Sequence, residues 1–371
     1  MEQTFLNSCR LKEGQYLIGD FIGQGAYGIV YHCTLNQCHI TMKQLKPFQS
    51  EDDVRTFQSE IKILATLNHP GCLRLIGFEL PNITIEKGVK IYPEASHTEK
   101  GDELPKEWGA RIFTPYFPKN TMSNFLMNYV NGAKKSLKYF NTILMISFYG
   151  IIRSLKYLHS KSIAHFDIKP ENVLFNSFGY PVLADFGLSV YSANETVTGI
   201  RGSLLFMAPE VLLAAENGKP LIGEEQLKAD IYSYGMLLYE CFNLNPTYSS
   251  HDDLLLIPGY TSSYHFPIVT NENFKDCRRN GYLPEKIDEI PDGLWDEVIV
   301  RCLDKDPNKR LTADQITEIF ENQLDEIALD DLDFILFEQY QSYIETEEAK
   351  IKIPRRRWHL YHPEQDKKYK Q

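Results

Sequence analysis

The sequence predicts an α+β chain in which strands gather near the start and helices fill the larger remainder. Three observations carry this expectation. The run Gly23-Gln24-Gly25-Ala26-Tyr27-Gly28 passes straight into Ile29-Val30-Tyr31-His32-Cys33-Thr34-Leu35, a β-branched and aromatic stretch, so the glycines join two strands as a hairpin. A dinucleotide fingerprint would instead open a helix after a buried strand. Residues 56–64 place apolar side chains at 57, 61 and 64, the spacing of one helix face. Later, residues 139–160 hold the apolar run Ile143-Leu144-Met145-Ile146, and residues 230–240 are also strongly patterned. The 139–160 stretch is too short and interrupted for a membrane span and reads as a buried core helix.

The intervening elements follow in order. Asn36-Gln37-Cys38-His39 reads as the turn into a third strand at Ile40-Thr41-Met42-Lys43. Residues 82–109 are charged and lack periodicity, which reads as an inserted surface loop. Residues 244–290 hold Tyr, Ser and Pro in turn-rich clusters, and no chemistry is assigned to them.

At 371 residues and 43% hydrophobic, the chain can bury a sizeable core. A net charge of −11 argues against nucleic acid as the main partner. Residues 321–348 carry ten acids and no Lys or Arg, and the chain then turns basic from Lys350, with Arg355-Arg356-Arg357 at the centre. An acidic helix followed by a basic tail could fold back on itself or bind a partner, but a solvated extension is the expected case, and the basic part is too short for a membrane or nuclear signal. The seven cysteines, at 9, 33, 38, 72, 241, 277 and 302, form no Cys-x-x-Cys and suit reduced thiols, hence a cytoplasmic location. Met1-Glu2-Gln3-Thr4-Phe5 lacks a basic region followed by an apolar core, so no secretory signal is expected.

The chemistry concentrates in His165-Phe166-Asp167-Ile168-Lys169-Pro170-Glu171-Asn172, with Asp185-Phe186-Gly187 thirteen residues past Asn172. Taken singly, Asp and Asn here would be turn-capping residues of a polar loop. As a set they supply what phosphoryl transfer needs: an acid to orient and deprotonate a hydroxyl, a cation to neutralise charge, and two oxygen-bearing side chains for a metal. Seven positions of the eight resemble the catalytic loop of the eukaryotic-type protein kinases, and Asp185-Phe186-Gly187 resembles their metal-binding triplet. The resemblance implies a two-lobed fold, with a small, mainly β N-lobe holding one key helix and a larger, mainly α C-lobe. It implies Asp167 and Lys169 as catalytic residues, Asn172 and Asp185 as holders of Mg²⁺, and ATP as phosphate donor.

The same resemblance distributes roles along the N-lobe. Gly23, Gln24, Gly25, Ala26, Tyr27 and Gly28 form the loop over the phosphates, and Lys43 grips the α- and β-phosphates with Glu60 as its helix partner. Val30 and Leu174 sandwich the base under a roof at Thr41, where the family usually has alanine. Thr114 gates the back pocket, Pro115 offers its carbonyl to adenine, and the Phe117 N–H completes that contact. The domain is expected over 16–324, divided as 16–117 and 118–324, with an N-terminal extension 1–15 and an acidic then basic tail 325–371.

In the C-lobe, residues 185–210 resemble the activation segment, ending Ala208-Pro209-Glu210. Ser203 takes the place of a Thr whose hydroxyl meets the catalytic Asp and Lys. Lys169-Pro170-Glu171 resembles serine/threonine rather than tyrosine kinases, so the expected partner is a protein substrate with a Ser or Thr acceptor. The stretch around His69-Pro70 and Cys302 leans toward the tyrosine-kinase-like group. Asp230 is expected to anchor the catalytic-loop backbone, and Arg310 to pair with Glu210. One residue departs from the pattern: Phe166 replaces the Arg that reads an activation-segment phosphate, so Thr196, Thr198, Ser189 and Ser192 are candidate phosphosites without the usual reader. A scaffold that keeps the fold without catalysis is the alternative, drawn from Phe166, Pro115, Thr41 and Ser203. A small-molecule kinase fits less well, because such enzymes generally lack the 202–210 segment.

Overall fold

The computed structural model describes residues 6, 8–25, 28–80, 84–86, 89–91, 108–119, 121–130, 136–243, 279–281 and 283–351. They divide into two compact units: residues up to 68 with 73–116 and 347–351, and residues 69–72 with 117–346.

The first unit is built on an antiparallel sheet of β1 (Tyr16–Gln24), β2 (Gly28–Leu35), β3 (Cys38–Leu45), β4 (Gly77–Glu79) and β7 (Arg111–Pro115), in the order β1-β2-β3-β7-β4. The β2–β3 turn is the two-residue Asn36-Gln37, with φ of 49° and 66°, the left-handed conformation that matches strand twist. The third strand therefore starts at Cys38, earlier than the sequence suggests. Tyr16, Ile18, Tyr31, Cys33, Ile40, Met42 and Phe113 form the core of this sheet. Helix α1 (Glu51–Thr66) begins at a capping box in which Ser50 and Asp53 satisfy each other's backbone N–H groups, and it buries Phe57, Ile61 and Leu64 as the spacing requires.

Residues of the N-terminal extension cover an edge of the sheet: Leu11 N donates to Phe78 O at 2.8 Å and Phe78 N to Cys9 O at 3.0 Å. One expectation changes here. Within the insert, β5 (Thr84–Glu86) and β6 (Val89–Ile91) pair as a short hairpin. Its last residues are not surface loop either. Trp108 is buried beneath Arg111, whose guanidinium lies 4.0 Å from the ring centroid, and Gly109 N donates to Leu45 O at 3.0 Å. Arg111 is fully buried and satisfied by Glu79, Tyr16 and Gln44. The remaining residues of the insert lie outside the described ones.

The second unit is mainly helical: α2 (Met122–Val130), α3 (Leu137–Ser160), α4 (Pro209–Asn217), α5 (Glu224–Phe242), α6 (Ala313–Asn322) and, as far as residue 346, α7 (Phe334–Ile351). Two small antiparallel ladders complete it, β8 (Ile163–Ala164) with β11 (Val190–Tyr191), and β9 (Val173–Phe175) with β10 (Pro181–Leu183). Helix α3 is buried almost throughout from Phe140 to Leu158, which is why its apolar residues show no clean stripe. No described helix is long and apolar enough to cross a membrane. Six cysteines are free thiols; Cys277 and most of 244–290 lie outside the described residues.

The acidic segment corrects the expectation of a solvated extension. Its helix α7 buries Phe337, Tyr340 and Ile344. The Tyr149 ring of α3 lies 5.6 Å from Phe337 and 6.3 Å from Tyr340, and Tyr180 lies 4.6 Å from Tyr340. Leading into it, Asn141 Nδ2 donates to Asp330 O at 2.8 Å and Asp333 N to Thr142 Oγ1 at 2.9 Å. The charges stay wet while one apolar stripe docks.

Candidate active site

Residues 165–172 leave β8 as an irregular loop, and one buried carboxylate fixes their course. Asp230 of α5, 0% exposed, accepts from His165 N at 2.8 Å and Phe166 N at 2.7 Å. The His159 ring nitrogen lies 3.1 Å from the same carboxylate. His165 is equally buried, and burial lowers its pKa below the ordinary histidine value, against the pull of Asp230, Asp167 and Asp185. The neutral ring has a defined tautomer: Nδ1 accepts from Asp167 N at 3.2 Å, so Nε2 carries the proton and donates to Ala184 O at 3.0 Å. This ties the loop to the residue before Asp185.

Asp167 then collects four donors. Its Oδ1 accepts from Ser203 N at 3.1 Å and Ser203 Oγ at 2.9 Å; its Oδ2 accepts from Asn172 Nδ2 at 2.8 Å and faces Lys169 Nζ at 2.8 Å. Lys169 Nζ also donates to Ser203 Oγ at 2.7 Å, closing a triangle of acid, cation and hydroxyl. The carboxylate is locked in one rotamer by charge-assisted bonds. Asn172 ends the 3₁₀ turn Pro170–Asn172; its Nδ2 also reaches Asp167 O at 2.8 Å, and its carbonyl accepts from Ala184 N at 2.8 Å. Asn172 and Asp185 are thus held to adjacent backbone. Asp185 adopts φ of 60°, and Phe186 packs its ring edge-on to His165 at 4.9 Å.

Phe166 also sits at positive φ, 67°, with its ring buried. Gly202, at φ of 100°, passes so close to Phe166 O that any Cβ would strike it. The segment can return Ser203 to Asp167 only with glycine at that point. Of the four candidate phosphosites, Ser189 and Ser192 are buried, donating to His165 O at 3.3 Å and Ser162 O at 3.1 Å. They are ladder-supporting hydroxyls, not accessible acceptors; Thr196 and Thr198 are exposed.

In the first unit the register does the gathering. Lys43 pairs with Val30 and Ile112 across the sheet, and Thr41 pairs with Thr114. Cross-strand partners share a face, as do residues two apart, so Val30, Thr41, Lys43 and Thr114 all lie on one face. Lys43 Nζ meets Glu60 of α1 at 3.2 Å, with side chains 23% and 7% exposed. Thr41 Oγ1 points at Pro115 O at 3.5 Å. Gly23 and Gln24 end β1, and Gly25 N donates to Gly28 O at 2.9 Å; Ala26 and Tyr27 between them lie outside the described residues. Phe117, half-buried, follows β7, while Leu174 sits in β9, where Thr121 bridges to it.

Arg310 binds Glu210 in a two-pronged pair at 2.6 and 2.7 Å and also reaches the Asp304 and Lys228 carbonyls at 2.7 and 2.8 Å. Sequence reasoning missed His159 and Gln226, a buried amide beside the activation segment; neither belongs to a motif.

The antiparallel sheet of the first unit and the mainly helical second unit are those of a protein kinase fold. The protein kinase domain family matches residues 16–320, and the chain belongs to that family. It is 28% identical over 319 residues to a probable cell division protein kinase of Encephalitozoon cuniculi, covering 83% of this chain and 98% of that one. It is 27% identical over 341 residues to the dual specificity protein kinase shkE of Dictyostelium discoideum, covering 90% of this chain and 40% of that one. A G-type lectin S-receptor-like serine/threonine-protein kinase of Arabidopsis thaliana is 24% identical over 319 residues, with 81% and 32% covered. The chain spans less than half the length of the latter two.

Proposed function

We propose that this chain is an active serine/threonine protein kinase, transferring the γ-phosphate of ATP to protein hydroxyls. The observation that carries the reading is the Asp167–Lys169–Ser203 triangle, closed at 2.7–2.9 Å and braced by Asn172. Asp167 orients the acceptor hydroxyl and takes its proton at a carboxylate oxygen; Lys169 neutralises charge that grows on the transferred group. Lys43, steadied by Glu60, grips phosphate oxygens, and the backbone amides from Gly23 to Gly28 cover them. Val30, Thr41 and Leu174 hold the base, Thr114 bounds the pocket behind it, and the Pro115 carbonyl and Phe117 N–H fix its edge.

The donor set fits Mg²⁺. Asn172 spends its Nδ2 on Asp167, which leaves its side-chain oxygen for a cation, and Asp185 adds carboxylate oxygens, the hard ligands this ion prefers. Asn172 and Asp185 would hold Mg²⁺, which when bound would supply charge neutralisation along the phosphates. The 202–210 segment and Lys169 favour a protein Ser or Thr acceptor, and the free thiols fit the cytosol. We place the chain in the tyrosine-kinase-like group.

Phosphoamino-acid analysis tests the acceptor. Purified protein with labelled ATP, Mg²⁺ and a generic protein substrate is expected to yield phosphoserine and phosphothreonine, and Asp167→Ala none. Phosphotyrosine as the main product would overturn the acceptor class. Equal background from both proteins would favour the scaffold suggested by Phe166.

A further inference from the structure

Residues 185–210 are fixed at both ends. Near the start Val190–Tyr191 pairs with Ile163–Ala164, and Ser192 N donates to Ser162 O at 2.8 Å. Near the end Ser203 sits on Asp167. Midway lies Val197, buried, whose backbone pairs with Leu221 in both directions at 3.1 and 2.8 Å. Gln226, in the first turn of α5, is 0% exposed, and its Nε2 donates to Glu195 O at 2.8 Å and Leu221 O at 2.9 Å. One carboxamide therefore spends both its N–H groups across the junction, one on the activation segment and one on the loop it pairs with.

The orientation of that amide is forced. Reversing it would set an oxygen against two carbonyl oxygens, neither of which can donate. As it stands, Gln226 Oε1 is buried without a hydrogen-bond partner among the described residues. A residue serving only to fill space would avoid that unpaired oxygen; a residue selected for its two donors must accept it. Beside the catalytic Asp, meanwhile, stands the uncharged ring of Phe166, which has nothing to offer a phosphate on Thr196 or Thr198.

We propose that Gln226 is a positioning residue: its carboxamide holds the activation segment in the course that seats Ser203 on Asp167, a task given to neutral donors where Phe166 leaves no charge to meet a phosphate. The proposal rests on the kinase reading above. The hold is the same whether Thr196 and Thr198 carry phosphate or not.

Amide hydrogen exchange of the full chain, after phosphatase treatment, tests it together with kinetics. In the wild type the Val197 and Leu221 amides are expected to exchange at least about tenfold more slowly than those of Thr198 and Gly199. Gln226→Met keeps the volume and removes both donors; it is expected to speed Val197 exchange about tenfold and to raise the protein-substrate KM several-fold, with the ATP KM within about twofold. An unprotected Val197 in the dephosphorylated wild type overturns the proposal, as does unchanged exchange in folded Gln226→Met. If Gln226→Met does not fold, the wild-type measurement decides alone. A wild type that transfers no phosphate contradicts the kinase reading, while exchange still judges the clamp.

Discussion

Asp167 accepts four hydrogen bonds and ion contacts, two from Ser203 and one each from Asn172 and Lys169, and a further bond ties Lys169 to Ser203 and Asn172 to the Asp167 backbone. The pattern was legible in the sequence where spacing is local: Asp167, Lys169 and Asn172 lie within six residues, so their geometry follows once the loop is held. Ser189 and Ser192 were misread because exposure cannot be seen from residue type; both hydroxyls are spent on carbonyls of residues 162–165. His165 carries a pH prediction. The unfolded chain takes up the histidine proton at about pH 6.5, and the buried native ring only at lower pH. Below that value the unfolded state binds more protons, so stability falls as pH drops and is fully present above it. Thermal melts from pH 7 to 5 should show a decline that is shallower in His165→Asn. Parallel slopes would show that the ring is not kept neutral.

At the scale of elements, the Glu210–Arg310 pair joins α4 to the turn before α6 across a span of 100 residues. No periodicity could have announced it; resemblance to a family did. The Arg310 side chain is fully buried and Glu210 12% exposed. Glu210→Ala should therefore cost about 3–5 kcal/mol in denaturant unfolding, since it strands a buried cation. Adding Arg310→Met should recover part of that loss; an additive double variant would mean the two do not interact. Helix α7 teaches the reverse lesson. Its apolar residues at 337, 340 and 344 have helical spacing, so the docking stripe was present in the sequence, but the acidic count around it dominated the reading. Tyr340, 1% exposed, is the test: Tyr340→Ala should cost about 3–5 kcal/mol, and a cost near zero would mean the helix does not dock.

Across the whole molecule, each of the two units orders its own set of expected functional residues. In the first, strand register brings Val30, Thr41, Lys43 and Thr114 onto one face, a consequence of alternation that the sequence foreshadowed once the hairpin was recognised. In the second, the buried Asp230 carboxylate sets the catalytic loop, and Gln226 the segment that faces it. Gln226 escaped notice because its partners are backbone carbonyls at 195 and 221, which leave no trace in residue type. The proposed chemistry depends on Asp167 as the group that takes the hydroxyl proton. Steady-state phosphorylation of a protein substrate by wild type and Asp167→Asn, with ATP KM and melting temperature measured on both, tests this most directly. The variant is expected to show a kcat lower by about 10²–10⁴-fold, with ATP KM and melting temperature little changed. A variant that turns over at the wild-type rate would contradict it.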